Sequence, residues 1–175
     1  IDGEREIPLF SNRWGSGALD PVGHLYLESF HLDGRMPVWR YAVGRWIIEQ
    51  RIWLEPGANT VYVAWRLDAG AATQALELRV RLLVNARDHH GNMAPGGFTP
   101  RVGMVGDRLE VVCHDRFTLR LQTADGRLQA AWDWIENFDL PLERERGLPD
   151  RDAHLWVGDA LLTLRPGQWS GITAS

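Results

Sequence analysis

A single cysteine, Cys113, occurs in the 175 residues, so no internal disulfide can form and the fold must be held by its core. No apolar run approaches the roughly 20 residues needed to span a bilayer, which excludes a helical membrane span. Acidic and basic residues are interspersed at a net charge of −4. With no basic block or stripe, nothing attracts a nucleic-acid backbone or an anionic membrane surface. The expected compartment is a reducing cytoplasm. The chain also lacks a nucleophile elbow, a phosphate loop and the glycine fingerprint of dinucleotide folds. "GMVGDRLE" (103–110) has glycines beside a strand but opens no helix, so it reads as a hairpin turn. Serine is scarce and Cys113 falls on an apolar strand face, where it reads as a small buried hydrophobe. Helix signals are nearly missing too, with one or two turns around Leu142 to Arg146 as the best candidate.

What is present is period two. In "QALELRVRLLV", Leu76, Leu78, Val80, Leu82 and Val84 share one side, and Glu77, Arg79 and Arg81 the other. That is the pattern of a half-buried antiparallel strand. In "RWIIEQRIWLE", Trp46, Ile48, Ile52 and Leu54 share a face with Gln50. Arg45, Glu49 and Arg51 lie opposite with Ile47 and Trp53, so this strand is expected to be covered on both sides. "NTVYVAWRL", "RLEVVC" and "RFTLRLQ" are further strands. Turn residues fall between them at Asp33-Gly34, Gly44, Pro56-Gly57, Gly106-Asp107, Asp125-Gly126 and Pro166-Gly167. About ten strands in an all-β antiparallel sandwich, one domain over 1–175, are expected. An apolar content of 45% is enough for one core. The chain opens on Ile1 rather than Met, which reads as a piece excised from a longer protein. Nine tryptophans are expected mostly in the core or between sheets, although tryptophan also lines sugar-binding surfaces.

Two stretches break the strand rhythm, 86–99 and 135–154, and loops of this length in a compact domain are usually functional. In the first, Arg87, Asp88, His89 and His90 follow the strongest strand. If the backbone stays extended, Asp88 and His90 point one way and Arg87 and His89 the other, so the four cannot converge on one ligand. A metal needs three or more ligands, and the other candidates by composition are Cys113, His114 and Asp115; neither metal nor other cofactor is expected. A bland reading has Asp88 fixing a turn and Arg87 pairing with a carboxylate; a functional one has these groups hydrogen-bonding a sugar at the sandwich rim. The second stretch contains "FDLPLERERGLPDRDAH" (138–154), with Asp139, Glu143, Glu145, Asp150 and Asp152 among arginines. A glycosidase needs two carboxylates at a defined separation. Here each Glu of "LERERG" is followed by an Arg, which would lower a carboxyl pKa, the wrong direction for a general acid.

Together, "LFSNRW" (9–14), "YLESFHLDGRMPVWRYAVG" (26–44), "LEPGANTVYVAWRL" (54–67), "NARDHHG" (85–91) and "WIENFDLPLERERGLPDRD" (134–152) resemble the N-terminal domain of bacterial and archaeal glycogen debranching enzymes. The resemblance implies an antiparallel super-sandwich similar to the galactose-mutarotase fold. It also implies an α/α barrel, absent here, that carries the amylo-α-1,6-glucosidase chemistry. A further upstream strand region with a "YHG"-like motif is usual, so the domain is expected to be truncated at its start. The family's arginine-aspartate-aromatic-histidine motif would fall on Arg87 to His90, with His89 where tyrosine is expected. Its arginine-glycine-leucine stretch would fall on Arg146, Gly147 and Leu148, with Pro149 where aspartate is commoner.

The implied function is a non-catalytic domain that supports the catalytic domain of the same polypeptide, its main partner, and contacts α-glucan. Candidate substrate-binding or domain-interface residues are Arg87, Asp88, His89, His90, Trp134, Glu143, Arg144, Glu145, Arg146 and Asp152. The stretch 138–154 is expected to be an ion-paired, exposed docking loop. Two alternatives differ in class. One is an independent carbohydrate-binding module using exposed tryptophans. The other is a mutarotase-like sugar enzyme, for which His24, Glu28 and His31 are the strand-borne candidates, although alternation favours surface positions for them.

Overall fold

A computed structural model describes residues 6–70, 74–114 and 116–175. Ile1 and Asp115, singled out above, lie outside them. The fold is an all-β antiparallel sandwich. Its large sheet runs β3 (Leu27–Asp33), β4 (Met36–Val43), β5 (Trp46–Leu54), β6 (Val61–Leu67), β13 (Trp169–Ala174), β10 (Phe117–Thr123), β9 (Arg108–Cys113), β8 (Arg101–Val105). The small sheet is β11 (Arg127–Asp139), β12 (Arg151–Leu164), β7 (Leu76–Val84). A short hairpin, β1 (Ser11–Arg13) with β2 (Leu19–Val22), runs through a single 3-10 turn at Gly23–Tyr26 into β3. The one α-helix among the described residues is α1 (Pro141–Glu145), a single turn with proline at its start, set one residue earlier than the expected Leu142 to Arg146.

The core lies where the two sheets face each other. Leu67, Leu109, Val111, Leu155, Val157, Leu162 and Leu164 are wholly excluded from water there. Strand alternation puts them there: β7 turns Leu76 and Leu82 inward and Glu77, Arg79 and Leu83 outward. Cys113 is buried on the same inner face. Gln50, polar yet on an inner face, accepts a hydrogen bond from Trp65 Nε1 at 3.2 Å, which answers the desolvation penalty of both groups. On the opposite face of β5, Glu49 is buried beneath Arg51 and Arg66, at 2.7 and 3.1 Å. Burial pushes the Glu49 carboxyl up, but the two guanidiniums outweigh it and hold it below its ordinary value.

The thirteen strands among the described residues exceed the expected ten or so because the short edge pieces β1, β2 and β8 carry no alternation long enough to read. The "GMVGDRLE" turn is the β8–β9 hairpin, closed by Gly106 at φ +63, a conformation open to glycine without strain. The tryptophans divide differently from the expectation. Trp46 and Trp65 are buried and Trp14, Trp39, Trp134 and Trp156 half-buried, whereas Trp53, Trp132 and Trp169 are exposed. Part of the aromatic content sits on the outer face of the eight-stranded sheet, the face of Glu49 and Arg51. Trp169 lies there with the Arg51 and Arg66 guanidiniums 5.2 and 4.9 Å from its ring, and Trp53 stacks on Tyr62. No helix among the described residues is long and apolar enough to cross a membrane.

Candidate functional site

Both long stretches meet at one end of the sandwich. The chain leaves β7 at Val84, and β12 enters at Arg151 directly beside it, so Asn85 and Arg87 face the start of β12. The point where they meet is Asp152. Its side chain is wholly buried, and it accepts three hydrogen bonds and forms one ion pair. Met93 N and Ala153 N donate to Oδ1 at 2.7 and 3.0 Å and Asn85 Nδ2 donates to Oδ2 at 3.2 Å, while the Arg87 guanidinium forms an ion pair with Oδ2, its Nε 3.1 Å away. A buried carboxylate is tolerated only when charge and lone pairs are answered in this way. The bland reading of Arg87 therefore holds: it pairs with a carboxylate. Its remaining donors close the 87–91 turn, reaching Gly91 O at 2.8 Å and His89 O at 3.3 Å.

That turn overturns the assumption of an extended backbone. Gly91 N donates to Asp88 O at 3.0 Å, and the His89 and His90 rings lie edge to face, 4.3 Å apart, rather than on opposite sides. His90 Nδ1 sits 3.3 Å from Glu143 Oε2 without an aligned hydrogen bond, and that oxygen is buried and unpartnered. Arg146 holds the other Glu143 oxygen at 3.2 Å. Asn92 Nδ2 donates to Pro149 O at 3.0 Å and also to Arg151 O. The two stretches are thus tied to each other as well as to the sandwich.

The segment 138–154 is not one loop. Phe138 and Asp139 belong to β11, and Arg151 to His154 belong to β12, paired as Phe138 with Asp152 and Asp139 with Arg151. The connection between them holds α1 and is laced by ion pairs: Arg144 with Asp139 and Asp150, and Arg151 with the same two carboxylates. The hydrogen bond from Arg144 holds the Asp150 carboxyl below its ordinary range, ahead of the opposing effect of burial. Leu142, Arg144, Glu145 and Arg146 are exposed, Leu142 at 62%.

Two candidates are drawn into the packing of the sandwich. Asp152 has no exposed side-chain surface and is enclosed by Asn85, Arg87, Met93 and Ala153. Trp134 packs edge-on against buried Phe98, at 5.4 Å and 90°, beside the core. His154 was not among the candidates, yet it joins the network: Asn85 Nδ2 lies 3.0 Å from its Nδ1. Burial pushes His154 below its ordinary value, against the pull of the Asp152 carboxylate, and Arg87 adds to the lowering. A neutral ring accepting from Asn85 at Nδ1 fits this direction. No signal in the sequence marks the pairing of Asn85 with residues 152–154, because the contact spans 67 to 69 positions.

His24, Glu28 and His31 do not gather into a site. His24 bonds to Ser11 at 3.0 Å, Glu28 pairs with Arg40 at 3.4 Å, and all three are exposed on or beside the edge strand β3. Among the described residues no group of three or more His, Cys, Asp or Glu side chains is placed to hold a metal. A family model described as "Glycogen debranching enzyme N terminal" matches residues 1–170. No curated protein matches the chain.

Proposed function

The chain belongs to the glycogen debranching enzyme N-terminal family, and from that premise we propose that it is the non-catalytic sandwich of a glycosidase acting on α-1,6 branches of a glycogen-like glucan. Its role is to support a catalytic α/α-barrel domain of the same polypeptide in the cytoplasm, and its rim contributes to glucan contact. The observation that carries this reading is the α1 segment. It presents exposed Leu142 among exposed Arg144, Glu145 and Arg146 on a connection pinned by four ion pairs. A rigid apolar centre with a charged rim is the anatomy of a docking surface.

Chemistry points away from catalysis by these carboxylates. A general acid needs a raised pKa and access to the leaving group. Asp150 is shifted the other way, Asp152 is enclosed, and Glu143 is tied to Arg146. In the test, the chain alone is incubated with a branched dextrin, and separately titrated with the catalytic domain. No glucose release from the chain alone, and association weakened by Leu142→Asp with Arg146→Glu, are the expected results. Glucose release abolished by Glu143→Gln would overturn the non-catalytic assignment.

A further inference from the structure

The β1–β2 hairpin docks on a bulge in β11, where the register with β12 shifts between Ile135 and Phe138. Gly15 N donates to Asn137 O at 2.8 Å, and Trp14 packs against Phe138 with ring centroids 5.1 Å apart. Between hairpin and bulge lies an open cleft of about 480 Å³ lined by Trp14, Gly15, Ser16, Glu136, Asn137 and Arg151. Such a volume is within the range of about 300–1,000 Å³ found for small-molecule sites. Asn137 stands at φ +67, the one described non-glycine residue in the left-handed region. Such backbone conformations persist where the surroundings impose them, and they cluster at ligand sites.

We propose that this cleft binds one glucosyl unit of a neutral α-glucan, with Trp14 as the apolar platform and Glu136, Asn137 and Ser16 as partners for the sugar hydroxyls. The inference rests on the glucan-handling role proposed above and gives it a location. The lining chooses the ligand class. The Arg151 guanidinium is already neutralised by Asp139 and Asp150 and donates to Gly15 O at 3.0 Å, so it offers an anion little. The Glu136 carboxylate in the same lining repels one. A purely apolar ligand would leave Glu136 and Asn137, both exposed, without partners. A pyranose meets both demands, since its C–H face covers an indole and its hydroxyls both donate and accept.

The test is calorimetric titration of the chain with maltotriose, with glucose 6-phosphate as a charged comparator. A dissociation constant of about 1 mM is expected, as for a single shallow site. Glu136→Ala and Asn137→Gly change exposed side chains only, and glycine accepts the positive φ. Each should weaken binding by a factor of about two to ten, the worth of one hydrogen bond, with the circular dichroism spectrum unchanged. A flat maltotriose titration, binding indifferent to both variants, or equal affinity for glucose 6-phosphate would each overturn the assignment. The readout is separate from that of the docking role. Absence of maltotriose binding with intact association to the catalytic domain overturns the cleft and leaves the supporting role standing.

Discussion

Asp152 holds the end of the sandwich together, and replacing it measures how much that end depends on one carboxylate. Asp152→Asn keeps the shape and keeps an oxygen for the Met93 and Ala153 amides. It turns the other oxygen into an amide nitrogen that faces the donors of Asn85 and Arg87. Breaking a buried pair by removing one partner costs about 3–5 kcal/mol. Arg87 is 31% exposed and can turn toward water, which lowers the expected cost to about 2–3 kcal/mol. For a chain of this size that is a drop of about 4–12 °C in Tm. Urea unfolding followed by tryptophan fluorescence gives the free energy directly, and calorimetry gives Tm. Arg87→Met should cost at least as much, because it leaves the wholly buried carboxylate with three donors but no countercharge. A change within about 0.5 kcal/mol for either variant would refute the reasoning.

Further outcomes can be checked with the same methods. Gly158 sits in the β12 bulge, where a Cβ would press on the Gln129 carbonyl oxygen and lie 2.8 Å from Leu109 Cδ2; Gly158→Ala should destabilise by about 1–3 kcal/mol or more, read by urea unfolding. Leu162 is wholly buried between the sheets, and Leu162→Ala should cost about 2–5 kcal/mol with the unfolding slope unchanged. His154 titrates below its ordinary 6.5 in the folded chain, so the unfolded chain takes up its proton first as pH falls. Stability is full above about pH 6.5 and declines as pH drops below it toward the folded pKa. His154→Gln should flatten Tm between about pH 7.5 and 5.5, and a slope equal to that of the parent would count against the assignment.

Local chemistry carried part of this molecule into plain view. Leu76, Leu78, Val80, Leu82 and Val84 announce β7 because one face is buried and the other is wet. Gly106-Asp107 announces its hairpin because a tight turn needs a positive φ. β12 was hidden by the reverse condition. It is the middle strand of its sheet, so "LWVG" and "ALLTL" run apolar without alternation, and the bulge between Trp156 and Gly158 shifts the phase partway along. The stretch 138–154 misled for a related reason. Charged residues in β strands look like loop residues until the partner that neutralises them is known.

The sequence by itself therefore determined the class: antiparallel strands, one short helical turn, no disulfide, and arginines set beside carboxylates closely enough to quench them. Only the tertiary structure decided which carboxylate is structural and which surfaces remain free. Asp152 is enclosed because Asn85, Arg87 and Met93 arrive from the stretch that leaves the neighbouring strand β7, and the Trp14 cleft exists because a hairpin from early in the chain lands on a bulge in β11. Periodicity reports which face of a strand is buried, since that depends on near neighbours in the chain. What a side chain meets across long separations depends on how the sheets are stacked, and no local pattern encodes it.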